Sequence, residues 1–274
     1  MTDPGIIRPR IVAVANQKGG VGKTTTAINL AAALVERGLQ VLVVDLDPQG
    51  NASTGLGIAV AARDLTSYDM LMDEALVVDV MRATAFPGLS IIPANADLAS
   101  ADMDLVSNEK RSFLLHDALR HPSAEALGLD VVLIDCPPSL SLLTVNALVA
   151  ADAVLVPLQA EFFALEGLSQ LMLTIREVRQ TANASLRIEG VVLTMYDRRN
   201  NLAQQVEADV RATLGDLVFR TVIPRNVRVS EAPSHALPVL AYDSGSKGSE
   251  AYRSLAAEMA ARHGHTLYPR EPAA

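Results

Sequence analysis

A single cysteine, Cys136, stands in a chain of 274 residues. One thiol cannot close a disulfide within the chain, and it cannot supply a metal site built on a cysteine pair. That scarcity fits a reducing compartment such as the cytoplasm. Long apolar runs are missing too. A membrane helix needs about 20 consecutive apolar residues, and the richest stretch, 145–165, is interrupted by Asp152, Gln159 and Glu161. Met1–Arg10 holds no apolar region of the kind a secretory signal carries. Positive charge is in deficit: 23 Lys and Arg face 31 Asp and Glu, for a net charge of −8. Averaged over the chain, that balance argues against indiscriminate binding to nucleic acid.

What is present is a large apolar fraction and a regular alternation. Half of the residues are hydrophobic, enough to bury a sizeable core. Continuously apolar, β-rich runs occur at 11–15, 40–45, 89–93, 130–135, 153–157, 190–194 and 218–223. Helical patterns fill the intervals at about 24–37, 97–107, 110–121, 164–181, 202–213 and 248–262. Strands apolar on both faces belong in a sheet covered on both sides. The expected fold is therefore a doubly wound α/β domain, its sheet mostly parallel with helices on both faces. No internal repeat or convincing linker divides it. One domain over 1–274 is expected, with a short arm at 1–10 and a tail at 264–274.

The most informative residues are Gln17, Lys18, Gly19, Gly20, Val21, Gly22, Lys23, Thr24 and Thr25, which follow the first strand directly. Glycines let consecutive backbone N–H groups turn inward on a phosphate chain, and the next helix adds its positive end. Lys23 is expected to reach the β- and γ-phosphates, and the Thr24 hydroxyl to hold Mg²⁺. The usual spacing would place Gly at position 17, where Gln17 stands, and a second lysine, Lys18, follows it. Lys-Gly-Gly-Val-Gly-Lys-Thr resembles the deviant Walker A motif of the ATPase family that includes ParA (Soj), MinD and nitrogenase iron protein. The resemblance implies that Lys18 crosses a dimer interface to the partner's bound ATP.

Two further strand ends carry acids. Asp45-Leu46-Asp47 closes the second strand, and Asp135 closes 131–135 ahead of Cys136-Pro137-Pro138. By resemblance, Asp47 positions or activates the attacking water, and Asp45 supports the loop and the metal. Asp135 reads as a Walker B carboxylate that holds Mg²⁺, usually through water. Cys136 reads as a small apolar filler, since no base accompanies it. The string 222–234 closely resembles chromosomal partition ATPases, which assigns Pro224 and Asn226 to the adenine.

Residues 198–253 hold eight Lys and Arg against six acids, so the basic balance lies in the C-terminal half. The family places DNA-contacting arginines there, and the best matches are Arg199, Arg225 and Arg228. Such contacts go mainly to phosphates and carry little sequence information. The chain thus resembles a chromosome-partitioning ATPase of the ParA/Soj type. The resemblance implies an ATP-dependent homodimer on nonspecific double-stranded DNA, a ParB-type centromere-binding partner that stimulates hydrolysis, and a cytoplasmic, nucleoid-associated location without membrane. Set against it are a MinD-like membrane-cycling ATPase and a metabolic ATP-dependent enzyme of the same fold, such as dethiobiotin synthetase. Iron–sulfur relatives are excluded by the lone cysteine.

Overall fold

The computed structural model describes residues 8–72, 74–105, 108, 110–161 and 164–263. Eight strands form one sheet: β1 (Arg10–Val14), β2 (Val41–Asp45), β3 (Arg82–Ala83), β4 (Leu89–Ile92), β5 (Val131–Asp135), β6 (Ala153–Gln159), β7 (Arg187–Tyr196) and β8 (Val218–Pro224). Their spatial order is β3-β4-β2-β5-β1-β6-β7-β8. All neighbours run parallel except β3, which pairs antiparallel with β4 at one edge.

The apolar runs make sense once both faces are seen. Successive side chains in a strand point to opposite faces. Val12 and Val14 of β1 join one core cluster with Val41, Val43, Val131 and Leu133. Ile11 and Ala13 join another with Leu42, Val44, Val132 and Ile134. Helices α1 (Lys23–Glu36) and α5 (Lys247–His263) cover the first face. Helices α2 (Leu142–Ala150), α3 (Ala164–Thr181) and α4 (Asn201–Leu214) cover the second. In α3 the buried residues Leu168, Leu171, Ile175 and Val178 recur at helical spacing, which seats one stripe on the sheet.

The seven long strand signals and most helical ones match these elements; the departures are local. The pattern at 97–107 breaks into a 3₁₀ turn, Ala96–Ser100, and one short helix, Ala101–Asp104. Asn95 Nδ2 donates to Asp97 and the Ser100 hydroxyl to Asp97 O, so local side chains compete with the helix ladder. The pattern at 110–121 shrinks to Leu114–Leu119, because His121 and Pro122 open a separate short helix. Segment 59–90, without a motif in sequence, holds a 3₁₀ turn, two short helices and β3. Of the expected arm and tail, residues 1–7 and 264–274 lie outside the described residues.

Register decides where the site sits. Val14, Asp135 and Asp45 are neighbours across β1, β5 and β2, all at carboxyl ends. The glycine loop leaves β1 at that same end, the crevice where doubly wound sheets bind ligands.

Candidate functional site

The glycine loop is pinned from both sides. Asn16 Nδ2 donates to Pro157 O of β6 at 2.8 Å, and Asn16 Oδ1 accepts from Lys18 N at 3.0 Å. The Thr194 hydroxyl of β7 donates to Val21 O at 2.7 Å. Gly20 and Gly22 adopt φ of +73° and +87°, a region other residues enter only at a cost. Gly22 O accepts the first helical bond, from Thr26 N at 2.8 Å. No side chain caps α1, and its first turn contains no acid. Its N–H groups and positive dipole end are thus left facing the cleft, a ready site for an anion.

Lys23 lies at the start of α1, only 6% exposed. Its ammonium donates to Lys18 O at 3.1 Å. Burial lowers its pKa, against the pull of Asp135, Cys136 and Asp47. A buried cation held by one carbonyl is poised for a stronger anionic ligand.

The three acids differ in what they touch. Asp45 is fully buried: Oδ2 accepts from Ser53 N at 2.8 Å and the Ser53 hydroxyl at 2.6 Å, and Oδ1 accepts from Asp47 N at 3.2 Å. Desolvation raises its pKa to about 6, opposed by those hydrogen bonds. Of the two roles expected for Asp45, this geometry carries the loop-supporting one, since both oxygens are taken by protein donors. Asp47 reaches the cleft, its Oδ1 accepting from Gln49 N at 3.0 Å. Asp135 is fully buried; neither oxygen has a hydrogen bond of good geometry, and the donor beside them is the Thr24 hydroxyl, whose hydrogen bonding favours the charged form. Desolvation, then the Asp45 charge, push its pKa well up. An orphaned buried carboxylate beside a threonine hydroxyl suits a hard, oxygen-seeking cation. No group of three or more His, Cys, Asp or Glu among the described residues is arranged to hold a metal ion, so phosphate and water oxygens would have to complete the shell of such an ion. Burial drives the Cys136 thiol upward in pKa, in keeping with an inert filler.

Gly19, Gly20, Gly22, Lys23, Thr24, Thr25 and Asp47 line one cleft of about 400 Å³ together with Pro224, Arg225 and Asn226. The structure therefore joins the two ends of the expected nucleotide site. Three loop residues lie off this cleft. Val21 is buried and offers only its backbone, Gln17 is exposed, and the Lys18 ammonium bonds Glu161 Oε2 at 2.7 Å. Asn226, assigned to the adenine by resemblance, also has a local role. Its Oδ1 caps the helix Val227–Glu231, accepting from Arg228 N at 2.9 Å and Val229 N at 3.4 Å, which leaves the Nδ2 donor. Thr194, Met195 and Tyr252 also line the cleft, unmarked by any sequence motif.

A second, shallow depression adjoins the first through Pro224 and Arg225. It collects Arg198, Arg199, Arg220, Arg225 and Lys247 against Asp197 and Glu250. Arg199 is paired with Asp197 at 3.0 Å, and its hydrogen bonds hold that carboxyl down to about 2. Arg228 lies outside the depression, bound to Glu231 at 2.9 Å and Asp243 at 3.2 Å. Arg198, Arg220 and Lys247 carry no motif; they meet because the loop after β7, strand β8 and the start of α5 line one depression.

A family model described as an AAA domain matches residues 9–188. The chromosome partitioning protein ParA of Caulobacter vibrioides is 60% identical over 253 residues, covering 92% of this chain and 94% of that protein. The sporulation initiation inhibitor protein Soj of Bacillus subtilis is 52% identical over 252 residues, covering 92% and 98%. Among solved structures, a cobyrinic acid a,c-diamide synthase from Mycobacterium smegmatis with bound ADP and magnesium superposes with a TM-score of 0.80. It is 37% identical, covering 96% of this chain and 100% of that one.

Proposed function

Because the chain belongs to the ParA/Soj family of chromosome-partitioning ATPases, we propose that it is an ATP-driven DNA-segregation switch built on one P-loop domain. Asp135 carries this reading. Its orphaned oxygens stand beside Thr24, at the uncapped start of α1. ATP places its phosphates on the backbone N–H groups of 19–25, with Lys23 on the β- and γ-phosphates. Thr24 and Asp135 would hold Mg²⁺, which would supply positive charge to the phosphate oxygens. Asp47 orients a water in line with the γ-phosphorus. Attack forms the new P–O bond as the bond to the bridging oxygen breaks, and ADP and phosphate leave. Pro224 packs against the adenine, and Asn226 Nδ2 donates to it.

Lys18 leaves Glu161 to reach the partner's phosphates, closing a dimer in which two depressions form one basic surface. Each contact with DNA phosphate is weak, and pairing makes them sufficient. Hydrolysis, stimulated by a ParB-type partner, undoes the dimer and releases the nucleoid. ATP drives the switch by binding the dimer better than the monomer. The family's metabolic members would use the same loop without needing a paired basic surface. A membrane-cycling role is disfavoured by α5, whose Tyr252, Leu255, Ala256, Met259 and Ala260 are spent on the core.

The test is hydrolysis and nucleotide binding with and without Mg²⁺. Lys23→Ala should lose ATP binding, and Asp47→Ala should keep binding while losing hydrolysis. Tight ATP binding by Lys23→Ala, or normal turnover by Asp47→Ala, overturns the assignment concerned.

A further inference from the structure

The reading above uses nothing from 59–90, yet Arg63 in that segment reaches back to the loop that bears Asp47. Its Nε donates to Ile58 O at 3.1 Å, and its Nη1 to Ala94 O at 3.0 Å. Its Nη2 serves the Thr54 hydroxyl at 2.7 Å, Ile58 O at 2.9 Å and Gly50 O at 3.4 Å. One guanidinium therefore ties both ends of the short helix Asn51–Gly55 to Ala94, two residues beyond β4. A fork of donors in fixed geometry can serve four acceptors at once, which a lysine ammonium cannot.

Gly50 shows how tightly this joint is made. It adopts φ +61°, and a Cβ there would overlap Arg63 Nη1 and lie 3.1 Å from Ala94 O. The step from Gly50 to the reacting residue is short, because Gly50 N donates to Asp47 O at 2.8 Å. The opposite side is braced by Ser53, whose hydroxyl bonds Asp45 and accepts from Ala94 N at 2.9 Å. Ala94 is thus gripped by its N–H from Ser53 and by its carbonyl from Arg63. Asp47 sits on a loop fixed inside by the Asp45–Ser53 pair and outside by the guanidinium.

We propose that Arg63 is a positioning residue for ATP hydrolysis, holding the 47–54 loop so that Asp47 faces the phosphate end of the cleft. The proposal rests on the assignment of Asp47 made above. Arg63 itself does not line the cleft, so its loss should leave ATP binding intact.

The experiment compares wild type, Arg63→Ala, Arg63→Lys and Asp47→Ala in kcat and KM for ATP, and in amide hydrogen exchange of the nucleotide-free protein. Misplacing a reacting group by about an ångström costs up to ~100-fold in rate. Arg63→Ala should lower kcat roughly ten- to a hundredfold with KM within about twofold. Exchange should quicken across 47–54 and stay unchanged in 23–36. Arg63→Lys should fall between wild type and Arg63→Ala. Unchanged kcat, or unchanged exchange at 47–54, overturns the proposal. So does a KM rise with faster exchange throughout, which marks a purely structural residue. If Asp47→Ala hydrolyses normally, the Asp47 reading fails and takes the catalytic half of this proposal with it, while exchange still reports the clamp alone.

Discussion

The ammonium of Lys18 lies 2.7 Å from Glu161 Oε2 of its own chain, and Gln159 Nε2 donates to the other oxygen of that carboxylate. A lysine assigned to the partner's nucleotide is therefore held at home in the single chain. The pair is partly exposed, so each is worth about 0.2–1 kcal/mol, and a dimer must break two of them.

Glu161→Gln should consequently favour the ATP-bound dimer. The midpoint of dimerisation is expected to fall roughly two- to thirtyfold in protein concentration. Sedimentation with ATP on an Asp47→Ala background measures it. An unchanged midpoint means the Lys18–Glu161 bond is no barrier to assembly.

Asp135 should show opposite effects on stability and function. A buried carboxylate without a hydrogen-bond donor costs about 1–3 kcal/mol. Asp135→Asn removes the buried charge and its repulsion from Asp45, so the nucleotide-free protein should melt a few degrees higher. The same variant should lose the Mg²⁺ dependence of ATP binding. Calorimetry with and without Mg²⁺·ATP reads both. Lower stability without nucleotide, together with intact Mg²⁺ dependence, contradicts the assignment.

The basic depression predicts a ranking among arginines. The side chain of Arg225 has no ion pair within 4 Å among the described residues, whereas Arg228 is already held by Glu231 and Asp243. Arg225→Ala should weaken DNA binding evenly across sequences and lower the salt slope by about 0.9. Arg228→Ala should change the slope less, with its larger effect on the helix Val227–Glu231. DNA titrations across a salt series give both slopes, and a larger slope change for Arg228 reverses the ranking.

Much of this site was legible in the sequence because short motifs sit where chain order and space agree. The strand, glycine loop and helix of 11–36 are contiguous, so their geometry follows from local rules. Asp45 and Asp135 came together because parallel register aligns the ends of β2 and β5. Other features were hidden for physical reasons. Helix α2 lies in a run so apolar that no period marks it, buried as it is against the sheet. Arg63 and Glu161 act through partners far off in sequence or across a loop, with no motif of their own. The Asn226 cap competes with the base-binding role its resemblance suggested, and only the backbone path of 226–229 reveals it. Arg198, Arg220 and Lys247 were visible as charge but not as a surface.

The most direct test of the DNA switch is binding of Asp47→Ala to nonspecific duplex DNA with ATP, with ADP and without nucleotide, across a salt series. The account predicts binding with ATP only, falling steeply as salt rises. Binding that ignores the nucleotide, or no binding in any state, contradicts it.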